Sequence, residues 1–403
     1  MKYALLICDG MADYPLEKLQ GRTPLQAAKT PNLDRLAREG ATGLAVTIPE
    51  NMTPGSDVAS LSIMGYDPRH YYRGRGPLEA VSLNIQPAAD EVVFRCNLVS
   101  VSDGLMQDYS AGHISSREAK LLIDALNEEM RVGGVTFYPG VSYRHVTTIK
   151  EGLLQEGKGE LHCVPPHAIT GQPIEPNLPT GRGSSLLRDL MGKSLEILSV
   201  QPVNQVKIDL GENPANMIWL WGGGKLERPP SFKERFGVDG TVIAAVDLIK
   251  GIGKLIGLKA VEVPGATGYY DTDYDAKASY AIEALKGDDF VLVHVEAADE
   301  AGHNADILQK ITAIERFDAK IVGRVIEKLE QSGDYRVVAM PDHYTPISVG
   351  DHTCEAVPFL VCGKDVRADN VQVFDEFSVR EGSLKTVKGH SLMSLLVGGK
   401  AKA

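Results

Sequence analysis

Tyr3-Ala4-Leu5-Leu6-Ile7-Cys8-Asp9-Gly10 is an apolar run that stops at an aspartate and a glycine. A strand that is apolar on both faces, Tyr3 to Cys8, belongs inside a covered sheet, and open α/β sheets place their chemistry beyond the carboxyl ends of such strands. Later stretches have the same texture. Phe290–His294 runs into Val295-Glu296-Ala297-Ala298-Asp299-Glu300-Ala301-Gly302-His303, and Arg336–Met340 runs into Pro341-Asp342-His343. Further strands are predicted at Met217–Trp221 and Phe359–Cys362. Helices are predicted over Thr23–Glu39 (restarting after Pro31), Ser184–Leu198, Val242–Gly257 and Ala305–Ser332. Alternation of this kind gives an α/β fold, a mostly parallel sheet with helices on both faces.

Between the two halves of that pattern the texture changes. Val92–Val101, Val135–Tyr138 and Arg144–Ile149 read as strands around an amphipathic helix, Ser116–Met130, which is an α+β unit of its own. Gly157–Gly183 is rich in glycine and proline and reads as a long ordered loop or hinge. The expectation is a core domain from 1–81 and 191–403 with a smaller α+β domain, 82–190, inserted into it. No repeat or low-complexity tract interrupts this plan.

Composition narrows the class. Of 403 residues 43% are hydrophobic and 24% charged, as in ordinary globular proteins, and the formal net charge of −11 argues against a nucleic-acid surface. No apolar run is long enough to span a bilayer, so no membrane partner is expected, and the chain reads as cytoplasmic. The five cysteines (Cys8, Cys96, Cys163, Cys354, Cys362) include no CxxC pair and are read as buried thiols. Oligomeric state is not written in the sequence.

The candidate chemistry sits at the strand ends. Asp299 and His303 are four apart, which on a helix puts a carboxylate and an imidazole on one face, although an acidic first turn is also ordinary helix chemistry. Asp342-His343 and, further on, His352 offer the same mixture of oxygen and nitrogen donors, and a lone Asp-His pair is more often structural. Thr53-Pro54-Gly55-Ser56-Asp57 places a serine at a helix start, where it is a plain cap or, with metal ions and the helix dipole, an activated nucleophile. Asp9 at the end of the first strand needs a cation if it is buried. Taken together, Ser56 with Asp9, Asp299, His303, Asp342, His343 and His352 fits a two-metal phosphoryl-transfer site for manganese, zinc, cobalt or magnesium.

This order of residues resembles the metal signature of the alkaline-phosphatase superfamily, and closely that of the cofactor-independent phosphoglycerate mutases of the archaeal type. The similar blocks are CDGMADYPLEKLQGRTPLQAAKTPNLDRLA, PGSDVASLSIMGYDP, YYRGRGPLEA, VPGATGYYDTDY, DEAGHNAD, PDHYTP and GHSLM. The resemblance implies one ion on Asp299, His303 and His352, and a second on Asp9, Ser56, Asp342 and His343. It implies a phosphoserine at Ser56, no need for 2,3-bisphosphoglycerate, a small phosphorylated metabolite as partner, and an insert that closes over it with basic residues. The insert departs from that pattern. Where an arginine-rich segment is expected the chain reads Asp108-Tyr109-Ser110-Ala111-Gly112-His113, and DYSAGHISSREA, VSYRHVT and PPHAITGQPI resemble a bacterial branch proposed to act as homoserine kinase, with Ala168 where that branch often has an acidic residue.

Candidate substrate contacts are His113, Arg144, His145 and His167 from the insert and connector, and Arg73, Arg75 and Lys233 from the core side; His390 is read as structural. Phosphoglycerate mutase leads, because it requires no second substrate site; no GxxxxGK[ST] nucleotide cradle is present, so a kinase activity would run through a phosphoserine at Ser56. A homoserine-kinase-like transfer at the same serine is the alternative, and a phosphatase or non-catalytic relative is the third reading.

Overall fold

The computed structural model describes residues 1–398. Its strands in chain order are β1 (Lys2–Cys8), β2 (Ala41–Val46), β3 (Glu91–Ser102), β4 (Leu105–Asp108), β5 (Val135–Val141), β6 (Arg144–Lys150), β7 (Met217–Gly224), β8 (Gly240–Ile243), β9 (Lys259–Val261), β10 (Phe290–Val295), β11 (Tyr335–Met340), β12 (Val357–Gly363) and β13 (Thr386–Lys388). The chain divides into two compact units, Met1–Tyr72 with Arg228 onward, and Arg73–Glu227.

The first unit is an eight-stranded sheet in the order β13-β2-β12-β11-β1-β10-β8-β9. The run from β11 to β9 is parallel, and β12 lies antiparallel to both β11 and β2. β1 is central, and every residue from Tyr3 to Cys8 is buried, as an apolar strand covered on both faces should be. One face packs Ala4, Leu6, Val291, Val293 and Val337 under helices carrying Leu33, Leu36, Ala278, Ala281 and Ile314. On the other face lie the helices Asp247–Leu255, against β8, and Leu392–Val397, against β11.

Local chemistry explains the helix that follows Pro31. Its cap residue Thr30 makes no side-chain bond, but the free amides of Asn32 and Leu33 donate to the Asp318 carboxylate at 3.2 and 2.8 Å. Asp318 belongs to a π-helical stretch, Phe317–Val322, between the helices Ile307–Arg316 and Gly323–Ser332. The sequence reading of one long helix over Ala305–Ser332 holds in outline, with this widened turn inside it.

The second unit is a five-stranded antiparallel sheet, β4-β3-β6-β5 with β7 paired to β3. Helices Ser116–Met130 and Ser184–Ser199 cover one face, packing Leu122, Leu126, Leu187 and Leu190 onto Phe94, Leu98 and Trp219. The helix Arg75–Ser82 packs Ala80 on Val93 and Val146. Arg73 and Glu227, the first and last residues of the unit, are joined by an ion pair of 2.9 Å.

Three sequence expectations change here. The insert is wider than 82–190 at both ends, because β7 pairs with β3 rather than with the core strands, and Arg75–Ser82 packs on the same sheet. Val242-Ile243, read as the start of a helix, belongs to strand β8; these β-branched residues pair with Leu292 and Val293, and the helix begins only at Asp247. Cys8, Cys96 and Cys362 are buried, but Cys163 is half-buried and Cys354 is exposed.

Candidate metal centre

β1 lies between β10 and β11 in parallel register, with Cys8 beside Val295 and Ile7 beside Met340. The residues that leave these strands therefore emerge together: Asp9, then Asp299 and His303 on the helix Ala297–His303, then Asp342 and His343. Gly10 makes the convergence possible. Its φ is +61°, and a Cβ there would lie 2.7 Å from Asp299 Cα, so only glycine lets the two loops close. Its amide donates to Asp342 Oδ1 at 3.2 Å.

One group forms around Asp299. Its carboxylate lies 3.2 Å from His303 Nε2 and 3.4 Å from His352 Nε2, and the two ring nitrogens are 3.0 Å apart. His303 Nδ1 donates to the Gly350 carbonyl at 2.9 Å, which leaves the lone pair of the neutral ring on Nε2, the atom aimed at His352. Two such nitrogens beside a carboxylate face each other favourably only with a proton or a metal cation between them. The Asp299 hydrogen bond holds the His303 imidazole up to about 9. The Asp299 carboxyl itself is kept well below its usual range; burial alone would raise it, and the bonds from His303 and His352 more than offset that. Asp351 is also within reach of His303 and His352, but its side chain is exposed.

The second group is Asp9, Asp342, His343 and Ser56. His343 Nε2 lies 3.1 Å from Ser56 Oγ, 3.5 Å from Asp9 Oδ1 and 3.4 Å from Asp342 Oδ2. Asp9 Oδ1 and Asp342 Oδ2 are buried with no hydrogen-bond partner among the described residues, an expensive state for carboxylate oxygens that a divalent cation relieves. Burial, then the Asp342 and Asp299 charges, push the Asp9 carboxyl well above its ordinary value. Ser56 is the first residue of the helix Ser56–Ile63, with Gly55 at the cap and no side-chain cap bond, so its hydroxyl is not consumed by capping. Thr345 joins the two groups, since its hydroxyl donates to Asp299 Oδ1 and lies 3.2 Å from His343 Nδ1. Carboxylate, imidazole and hydroxyl donors in two adjoining clusters suit divalent ions such as manganese, zinc, cobalt or magnesium.

The expected substrate contacts divide. In the insert, the Arg75 guanidinium lies 5.8 Å and that of Arg95 5.1 Å from the Trp221 ring centre, and Arg144 is 5.5 Å from that of Tyr143. His167 meets Trp221 and Tyr109 edge-on, and His113 meets Tyr143. His113, Arg75, Arg144 and His167 thus belong to one aromatic and cationic cluster. His145 does not: it alternates to the buried side of β6, accepts from the Gly140 amide at Nδ1, and is pushed down to about 3 by burial. Arg73 is engaged by Glu227 and lies in the insert, not on the core side. Lys233 pairs with Asp239 at 2.6 Å, just before β8 begins, which is the opposite end of the sheet from Asp9, Asp299 and Asp342. His390 lies 3.8 Å from Asp67, in line with a structural part.

The metalloenzyme superfamily model matches residues 1–398. The 2,3-bisphosphoglycerate-independent phosphoglycerate mutase of Methanosarcina acetivorans is 51% identical, over 98% of this chain and all of that one. This chain belongs to that mutase family. A Geobacter sulfurreducens protein named as a probable member is 46% identical over 98% of this chain and all of its own length. Among solved structures, a Pyrococcus horikoshii protein superposes with a TM-score of 0.82 at 28% identity, covering 100% of this chain and 98% of that one. The cofactor-independent phosphoglycerate mutase of Thermoplasma acidophilum gives 0.65 at 29% identity, with 99% of each chain covered. Family membership confirms the resemblance read from the sequence, and with it an isomerase of the metalloenzyme class.

Sequence reasoning passed over several residues around the centre. His294, Glu296, Lys277, Lys310 and Thr345 are all buried around it, but none was among the expected site residues. His294 was the one visible signal, the only polar residue in Phe290-Val291-Leu292-Val293-His294-Val295.

Proposed function

We propose that this chain interconverts 2- and 3-phosphoglycerate through a phosphoserine at Ser56. Asp299, His303 and His352 would hold one divalent cation, and Asp9, Ser56, Asp342 and His343 a second. The observation that carries this reading is the position of Ser56 Oγ, 3.1 Å from His343 Nε2 at the edge of two adjoining donor clusters. Bound there, divalent cations lower the pKa of a neighbouring hydroxyl and withdraw charge from phosphoryl oxygens.

The chain's own part is to place and protect. Ser56 Oγ forms a bond to phosphorus while the bond to one glycerate oxygen breaks, and that oxygen takes the serine proton. The phosphoserine then returns the group to the other hydroxyl and recovers the proton, so nothing is consumed. Water must be excluded while the phosphoserine exists, because its attack would release phosphate. Recognition of carboxylate and phosphate is assigned to Arg75 and Arg144 with His113 and His167, since guanidinium pairs both anions well. A cytoplasmic setting goes with this reading, as a multiply charged three-carbon acid does not cross a bilayer unaided.

The Methanosarcina acetivorans and Thermoplasma acidophilum relatives are named as mutases, which favours isomerisation over transfer to homoserine. The test is a direct assay. Metal-loaded protein given 3-phosphoglycerate should form 2-phosphoglycerate, and the Ser56→Ala variant should not. Phosphohomoserine from homoserine and a phosphoryl donor, with no 2-phosphoglycerate formed, would overturn it.

A further inference from the structure

Behind Asp9 and Asp342 the structure buries a column of charge that a phosphoryl-transfer site of seven residues does not require. Lys277, on the helix Tyr274–Gly287, is completely buried, and its Nζ donates to Glu296 Oε2 at 2.7 Å and to the His294 carbonyl at 2.9 Å. Glu296 Oε1 accepts from the amides of Ala245 and Val246 at 3.1 and 3.3 Å and faces His294 Nδ1 at 3.3 Å. His294 in turn aims Nε2 between Asp9 Oδ2, at 3.6 Å, and Asp342 Oδ2, at 3.9 Å. Among the described residues neither ring nitrogen of His294 reaches hydrogen-bond geometry, and Asp342 Oδ2 has no bond either.

A buried ion pair this complete is costly to assemble and is retained where it fixes a geometry. The backbone gives the column its place. His294 is in β10 beside Ile7 of β1, one residue before the neighbour of Cys8, so its ring falls level with the Asp9 loop. Glu296 is tied on one side by Lys277 and on the other by two amides, which leaves it no freedom to follow a moving ring.

We propose that Lys277, Glu296 and His294 form a positioning column that holds the Asp9 and Asp342 carboxylates in place for the cation they share with His343. This deepens the two-ion reading above and rests on it. His294 is a positioning residue: it acts on the ion through the two aspartates. A carboxylate oriented in advance binds a cation without first being ordered, so removing the column weakens this ion and leaves the Asp299–His303–His352 ion as it was.

The experiment isolates one ion. Metal-stripped His303→Ala protein, which keeps only the Asp9–Asp342–His343 group, is titrated with manganese by calorimetry, alone and combined with His294→Leu or Glu296→Gln. The background should bind one ion. Adding His294→Leu should weaken it about 10- to 100-fold, the range seen for residues that orient metal ligands. Adding Glu296→Gln, which leaves the ring present but unanchored, should weaken it by a smaller factor. Circular dichroism checks that each variant folds; if His294→Leu does not, Glu296→Gln decides alone. Unchanged manganese affinity in a folded variant overturns the positioning role while the two-ion reading stands. A His303→Ala background that still binds two ions, or binds none, overturns the two-ion reading itself.

Discussion

Nε2 of His303 and Nε2 of His352 face each other at 3.0 Å across a sequence separation of 49 residues, with the Asp299 carboxylate beside both. The Gly350 carbonyl fixes the tautomer that makes His303 Nε2 an acceptor. Two ring nitrogens held that close beside a carboxylate define the place of a cation more narrowly than the aspartate alone. The His303→Ala variant should therefore lose turnover and one of two bound ions while melting within a few degrees of the parent. Elemental analysis and a thermal melt check both.

Gly10 separates steric from electrostatic demands at the same centre. A methyl group at this residue would press on Asp299 Cα, at 2.7 Å, from a backbone conformation that costs a non-glycine residue about 1 kcal/mol or more. Gly10→Ala should stay folded with a lower melting temperature and lose most of its activity. Activity equal to the parent would show that the Asp9 and Asp299 loops need not meet.

Lys310 pins the two ligand loops from beneath. It is completely buried, donates to Asp13 at 2.7 Å and to the Thr345 carbonyl at 2.8 Å, and so ties the segment after β1 to the segment after β11. Lys310→Met leaves Asp13 buried without its cation, which should cost about 3–5 kcal/mol. Adding Asp13→Asn should restore part of that loss. Chemical denaturation of the single and double variants measures the difference.

Glu376 gives the core unit a pH dependence of its own. It is buried, accepts from the Asp13 amide and the Thr23 hydroxyl, and is pushed up by burial to about 7 from an ordinary 4.5. Its folded-state pKa lies above the unfolded one, so the native chain holds the extra proton. Its contribution to stability is full below about 4.5 and is lost as pH rises through about 7. The loss is about 3 kcal/mol at most, at ~1.4 kcal/mol per unit. Glu376→Gln, which cannot ionise, should melt higher than the parent at pH 8 and close to it at pH 5. Melting curves at the two values check the sign.

Much of this centre was legible because carboxylates and imidazoles at strand ends break an apolar run abruptly. Asp9 after Cys8, Asp342 after Met340 and the Asp299/His303 pair all announce themselves in that way. Sheet membership is less local: Met217–Trp221 reads as a buried strand whether it pairs with the core or, as it does, with β3. β8 was hidden because Thr241-Val242-Ile243 flows into a helix-like pattern, and only its partner Phe290–Val293 settles the matter. Single charged residues mislead in both directions. Lys233 looked like an anion contact and pairs with Asp239 at the far end of the sheet, whereas Lys277, which no motif singles out, is fully buried behind the site. No periodicity distinguishes the two, since burial of a charge is decided by a partner distant in sequence.

The most direct test of the centre is a crystal structure of manganese-loaded protein with anomalous scattering recorded at the manganese edge. Two peaks are predicted, one ringed by Asp299, His303 and His352 and the other by Asp9, Ser56, Asp342 and His343. A single peak, or peaks that leave Ser56 outside both coordination spheres, would contradict the two-ion serine site.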